Sequence, residues 1–409
     1  MKNNPGSFGA LCAIGVFARF SYALARTPVL PLFALYLGAG PGVIGWVVGI
    51  STVTGIFFKL PSGALADWVG RRRTLFLGLI IFALTPFAYL LVRDATGLLA
   101  VRFIHGFATA VYGPVSMAIV AEVAGNRKGE LLSWFSSLTI AGTLLGAPVG
   151  GYLLTTAGPE VQLTLWDFLK VFLVSGLTGT MALILGLGFV RGDAQSGQAR
   201  GFREVYAQLS EGVREVLSDK RIAVTSWMEG VHLLAAGALE AFLPIYGVKV
   251  AGLSGFQVGL LWGAQVVTTI LSKPLMGRTS DRYGRRPVIA VGLILSAISF
   301  GAVPLLQDFA WLLMAAAVFG IGEAFITSSA NALVADLCRE RHFGTAMGAF
   351  GTIFDIGHAA GPILAGYLLI QFNYAQSFWI LSSLLLLSVP VFLWHVRTEK
   401  ISPPLGHHG

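Results

Sequence analysis

The chain has 409 residues, of which 55% are hydrophobic and only 12% charged, against about 45–50% and about 25% for soluble domains. That balance excludes a soluble enzyme, a disordered chain and a disulfide scaffold, and the long uninterrupted apolar stretches read as membrane-spanning helices rather than barrel strands. The formal net charge of +8 would suit nucleic acid, so the placement of the basic residues along the chain decides its meaning.

Twelve stretches reach the roughly 20 helical residues needed to cross a bilayer core: 8–37, 43–66, 74–92, 96–122, 131–156, 166–190, 221–250, 255–280, 287–306, 308–337, 343–370 and 375–397. The first is too long for a cleaved leader and lacks a cleavage-site pattern, so it is read as a retained span. Of the 28 Lys and Arg, twenty fall in one set of loops and tails. Three (Arg93, Lys170 and Lys249) fall in the opposite set, and five (Arg19, Arg26, Lys59, Arg102 and Lys273) fall inside spans. The bias predicts both termini in the cytoplasm of a plasma-membrane protein, and it accounts for the basic excess without nucleic acid. Cys12 and Cys338 lie far apart, in or beside spans, and predict neither a disulfide nor a metal site.

In chain order, span 1 places Arg19, Tyr22 and Arg26 on one helical face and then reads Pro28-Val29-Leu30-Pro31. Lys59, near the end of span 2, is expected to snorkel, as is Lys273 in span 8. The loop after span 2 reads Gly63-x3-Asp67-x2-Gly70-Arg71-Arg72. Span 4 carries Leu99-x2-Arg102-x3-Gly106, with His105 and Tyr112, and ends near Glu122. Span 5 holds Gly142-x3-Gly146-x3-Gly150-Gly151, a small-residue row suited to close helix packing.

Residues 191–220 break the apolar pattern. A polar linker is followed by Phe202, Val205, Leu209, Val213, Val216 and Leu217 at helical spacing, which predicts an amphipathic helix along the membrane face. This segment separates a bundle over 1–190 from one over 221–409. Span 7 carries Glu229, His232 and Glu240, and the loop after span 8 reads Gly277-x3-Asp281-x2-Gly284-Arg285-Arg286. Span 10 carries Glu323 and Asn331 and ends near Asp336. Span 11 carries Asp355 and His358.

The second half repeats the first. Lys59, Asp67, Gly106 and Glu122 meet Lys273, Asp281, Gly320 and Asp336 at an offset of 214, and Gly146 and Gly151 meet Gly361 and Gly366 at 215. In span 7, Arg19 is set against His232 at 213. The repeat predicts an all-α integral membrane fold of twelve transmembrane helices in two pseudo-symmetric six-helix bundles. These are related by an axis along the membrane normal, with a cavity between them at the midplane.

The duplicated Gly-x3-Asp-x2-Gly-Arg-Arg loop resembles the signature loop of the major facilitator superfamily. Pro28–Pro31, the span 5 glycines and the span 4 Arg102 motif resemble the 12-span drug:proton antiporter branch. Two positions depart from that branch: Gly146-Ala147 stands where it has Gly-Pro, and span 1 has Arg19 and Arg26 where many drug antiporters carry an acid. The resemblance implies alternating access, multidrug efflux and a proton-linked role for Arg102.

Charges at mid-membrane cost several kcal/mol each and so require a reason. Arg19, Tyr22, Arg26, Arg102, His105, Glu229, His232, Glu240, Glu323, Asp355 and His358 are expected to face the cavity as a substrate and proton pathway. Asp355 with His358 is favoured for the proton, then Glu229 with His232. The arginines are candidates to hold an anionic or zwitterionic group or to displace protons from the acids, and Arg26 with Glu240 is placed as an external gate. Asp67, Arg71 and Glu122, with Asp281, Arg285 and Asp336, are read as a cytoplasmic gate, against plain positive-inside anchoring.

The leading function is efflux of a small amphipathic compound by proton antiport. A proton symporter importing an organic anion and a non-transporting sensor are the alternatives. No Walker loop or nucleophile motif is present, so neither enzyme activity nor a cofactor is expected. The partners are a small molecule, protons and lipid, and the chain is expected to be a monomer.

Overall fold

The structure, a computed structural model, describes residues 5–154, 163–190, 202–338 and 343–396. Hydrocarbon offers no partner for backbone polar groups, so each apolar stretch satisfies its own groups as a helix. Fourteen α-helices result among the described residues. The first half contains α1 (Pro5–Arg26), α2 (Val29–Tyr36), α3 (Pro41–Val69), α4 (Arg71–Ala88), α5 (Ala95–Ala124), α6 (Lys128–Leu154) and α7 (Leu165–Phe189). Next come α8 (Phe202–Ser218) and α9 (Lys220–Lys249). The rest are α10 (Gly255–Tyr283), α11 (Arg285–Ala302), α12 (Phe309–Leu337), α13 (Phe343–Gln371) and α14 (Tyr374–His395). Twelve of the spans they form are long and apolar enough to cross a membrane.

Span 1 crosses as one segment over Phe8–Tyr36 but is kinked. It breaks at Thr27–Pro28 into α1 and α2, because proline cannot donate to the helical ladder. The short helix α8 occupies the segment read as amphipathic. Its Val216 is fully buried, whereas the side chains of Phe202, Val205 and Leu209 lie outside the described residues.

The repeat is visible in local devices. Asp94 caps α5 by accepting from the Gly97 amide at 2.7 Å, and Asp308 caps α12 by accepting from the Ala310 amide at 2.8 Å; 94 plus 214 is 308. Gly70 and Gly284, also 214 apart, both turn the chain at positive φ, 104° and 91°, a conformation glycine adopts without steric cost.

Twelve spans alternate in direction, so α1 begins and α14 ends on one face, here the terminal face. The halves meet along two equivalent seams, α3 with α13 and α6 with α10. Both seams are tight toward the opposite face. A Cβ on Gly259 would lie 2.7 Å from the Ala147 carbonyl oxygen, and one on Gly45 would lie 3.0 Å from Ile363 Cα and nearer still to the Pro362 carbonyl. Toward the terminal face the same helices diverge, and a Cβ on Gly63 or Gly351 would meet nothing within 4 Å. The molecule is therefore shut at the opposite face and open at the terminal face.

Replacing Gly45 or Gly259 with valine is expected to wedge the shut seams apart. A cysteine placed at cavity position 236, with Cys12 and Cys338 changed to serine, should then react several-fold faster with an impermeant thiol reagent applied from the opposite face.

Candidate functional site

Between the halves lies a cavity of about 610 Å³. The first half lines it with Arg19, Tyr22, Arg26, Ser51, Lys59 and Ile140, and the second with Leu233, Ala236, Trp262, Gln265, Lys273, Glu323, Phe354, Asp355 and His358.

Its roof, toward the shut face, is a charged cluster centred on Glu240, which is only 1% exposed. Arg26 forms an ion pair with Glu240, its Nη2 donating to Oε2 at 2.8 Å. Thr27 Oγ1 donates to Oε1 at 3.3 Å, and His358 Nε2 lies 3.3 Å from Oε2. Arg26 and Glu240 are 214 apart, so they are equivalent positions of the two halves. Equivalent positions can touch only at the pseudo-two-fold axis, and the pair therefore sits at the centre of the molecule.

On the wall nearer the terminal face, Lys59 on α3 pairs with Asp355 on α13. Lys59 does not snorkel: it bridges the halves. Lys273 likewise lines the cavity. Asp355 and His358 are not partners of one another, because the turn between them sends one to Lys59 and the other to Glu240. Glu323 accepts from Gln265 Nε2 at 3.2 Å and Thr269 Oγ1 at 3.3 Å.

Several predicted cavity residues lie elsewhere. Glu229 and His232 are fully buried, with no hydrogen-bond partner among the described residues on any carboxylate or ring atom, and they do not pair. The His232 ring stacks on Phe319 at 5.2 Å. The register explains this. Gly142 packs on Val16 and Gly357 on Gly230, and 16 plus 214 is 230. Arg19 is thus equivalent to Leu233, not His232, and the cavity face of α9 runs through Leu233, Ala236 and Glu240.

Arg102 and His105 also turn inward among their own helices. Arg102, 1% exposed, donates to Ser51 Oγ at 2.6 Å and the Val47 carbonyl at 3.2 Å. Ser51 Oγ lies 3.2 Å from the Tyr22 hydroxyl, so Arg102 fixes two groups that do line the cavity. The His105 ring is held by the Tyr89 hydroxyl at 3.0 Å from Nδ1.

At the terminal face Arg71 Nη1 donates to Glu122 Oε2 at 3.3 Å, and Arg285 Nε to Asp336 Oδ2 at 3.3 Å. Arg285 also pairs with Asp281. These equivalent pairs each stay within one half. The Asp67 side chain lies outside the described residues. Asn331 Nδ2 donates to the Thr327 carbonyl on its own helix at 2.6 Å.

Sequence reasoning missed Thr27, Trp262, Gln265 and Thr269, and it read Lys59 and Lys273 as snorkelling rather than as cavity residues. For Lys59 a signal existed: a lysine repeated at the offset, with an acid in span 11 at the same depth.

Two related bundles of spanning helices, closed at one face over a cavity that holds charges from both, define an integral membrane transporter rather than an enzyme. The chain belongs to the Major Facilitator Superfamily, whose sequence profile matches residues 11–265 and 252–408. It is 25% identical over 374 residues, covering 86% of each chain, to the Lactococcus lactis protein named multi-drug resistance efflux pump PmrA homolog. It is 21% identical to the Staphylococcus aureus quinolone resistance protein NorA, over 83% of this chain and 84% of that one. In fold it is similar to the nucleoside transporter NupG (TM-score 0.77, 14% identity, 95% and 98% covered). It is equally similar to a bacterial homolog of the lysosomal transporter Spinster in an inward-facing conformation (TM-score 0.77, 14% identity, 97% and 100% covered).

Removing one partner of a buried ion pair strands the other at a cost of about 3–5 kcal/mol. Arg26→Met should lower the thermal midpoint of the purified protein markedly, and Arg26→Met with Glu240→Met should recover most of the loss. Full additivity of the two single substitutions would show that the pair contributes nothing.

Proposed function

We propose that the protein exports a small amphipathic compound in exchange for protons by alternating access, with the terminal face in the cytoplasm. The bundles over 1–190 and 221–409 rock about the cavity, joined by 191–220. The observation that carries this reading is the single acid at the pseudo-two-fold, Glu240, held at once by an arginine of the other half and by an imidazole that lines the cavity.

Arg26 and a proton compete for the same carboxylate. In the state seen here, open at the terminal face, Arg26 occupies it. When the halves part at the outer face, Arg26 is drawn off Glu240. The carboxylate is then left in an outward-open cavity, where it takes a proton from outside. On return Arg26 displaces that proton, and His358, 3.3 Å away on the cavity side, is placed to pass it toward the cytoplasm. Each cycle moves one proton inward as the cavity carries its compound outward. Lys59–Asp355 and the Arg71–Glu122 and Arg285–Asp336 clusters, with Asp67 and Asp281, are assigned to the cytoplasmic side, where they hold the outward-open state shut. The efflux names of the relatives support the direction, and the twenty-to-three basic bias supports the orientation.

Reconstituted in liposomes with an imposed pH gradient, the protein should accumulate a lipophilic probe on the acidic side. Accumulation on the alkaline side would mean symport and would overturn export. Glu240→Gln should abolish gradient-driven accumulation while leaving downhill probe exchange within a few-fold of the parent.

A further inference from the structure

The pseudo-symmetry leaves one ionic partner missing. Lys59 on α3 pairs with Asp355 on α13 across one seam. The equivalent lysine on the other seam is Lys273 on α10 (59 plus 214). The equivalent of Asp355 is Ile140 on α6 (355 minus 215), a register fixed by Gly142 and Gly357, which pack on equivalent positions of α1 and α9. Both Lys273 and Ile140 line the cavity. The α6–α10 seam thus keeps the lysine and lacks the carboxylate.

Arg19 stands on the same side. It lines the cavity with Ile140 and Thr143, and it also lines an adjoining pocket of about 380 Å³ whose wall includes Tyr112, Ser136 and Thr139. Among the described residues neither Arg19 nor Lys273 makes an ion pair or a side-chain hydrogen bond; at Lys273 the backbone carbonyl accepts from Ser328 Oγ at 3.3 Å. Arg26 is matched by Glu240 and Lys59 by Asp355, while Glu323, on the same cavity, is engaged by the neutral donors of Gln265 and Thr269 and forms no ion pair among the described residues. Two cations at membrane depth are left to face an open cavity, although such charges are costly without a counter-charge.

We propose that the transported compound supplies the missing carboxylate: an amphipathic organic anion places its acid group between Arg19 and Lys273 at the α6–α10 seam and its apolar body against Trp262, Ile140 and Phe354. A guanidinium fork matches a planar carboxylate in a way that an ammonium does not. The bound anion bridges the two halves as Asp355 bridges the other seam, so loading completes a symmetric pair of latches that draws the cytoplasmic side shut. That coupling rests on the transport reading above; the binding does not.

Calorimetric titration of the full-length protein in detergent tests it with three probes: a naphthalene carboxylate, its methyl ester and a naphthylmethylammonium. The carboxylate should bind tightest. Arg19→Gln and Lys273→Gln should each weaken it by about ten- to hundredfold, the range for hydrogen bonds to charged groups, and leave the ester unchanged. Arg19→Lys should restore part of the loss. Ile140→Glu, which supplies the acid from the protein, should remove the preference for the carboxylate with the thermal midpoint preserved. Ammonium binding equal to or tighter than carboxylate, or equal loss for carboxylate and ester in the variants, would overturn the inference. Carboxylate binding without gradient-driven flux of any probe would overturn the transport reading alone, and driven flux of the ammonium without carboxylate binding would overturn this inference alone.

Discussion

A charge in hydrocarbon must be answered by another charge or by water, and the Arg26–Glu240 pair answers it at the one place where the two halves are equidistant. Its position on the pseudo-two-fold means that one half contributes a cation and the other an anion at the same structural address. Two identical copies could not do this, since they would present like charges to each other. The pair therefore depends on divergence between the repeats. It also fixes which face of the molecule is shut, because the tight glycine contacts of Gly45 and Gly259 lie on its outer side and the cavity on its inner side.

The same logic arranges the remaining polar groups into two sets. Those that bridge the halves are Arg26 with Glu240, which the proposed cycle parts, and Lys59 with Asp355, which it keeps closed. Those that stay within a half, such as Arg102 with Ser51 and Val47, hold the cavity wall in shape through any such movement. Arg71 with Glu122 and Arg285 with Asp336 belong to the second set in this conformation. Their proposed gating role applies to the opposite conformation.

The fold was almost fully legible in the sequence. Bilayer thickness demands long apolar runs, and the Asp67/Asp281 and Gly146/Gly361 correspondences exposed the duplication. The site was less legible, for two physical reasons. Helical periodicity says which residues share a face but not which neighbour that face meets, so Arg102 and His105 were assigned to a cavity that their helix lines with Thr109, Gly113 and Pro114 instead. In span 7, reading the offset as 213 instead of 214 rotated α9 by one residue, about 100°, and brought Glu229 and His232 toward the cavity in place of Leu233. Glycine packing on α6 and α13 corrects that register, and it is a contact that no sequence pattern displays. The Asp355–His358 spacing was compatible with one site, but a cation, Lys59, lay within reach of the acid and a carboxylate, Glu240, within reach of the imidazole, and these separated them.

The break at Thr27–Pro28 gives the first span the mechanics of a lever. At about 1.5 Å per residue, the 22 residues of α1 form a rod about 33 Å long with its pivot beside Arg26. A tilt of roughly 10° about that pivot sweeps the far end through roughly 6 Å, by the same rise per residue, while the ion pair at the pivot hardly stirs. Widening or narrowing of the cavity mouth and reversal of access are therefore separable motions. The first requires α1 to slide against α6 and α7, where Gly142 meets Val16 and Ser175 is bonded to Ser21; the second, in the proposed cycle, has to break the central pair. In the proposed cycle, a carrier built this way admits cargo of varied size while the central pair keeps its shut face shut.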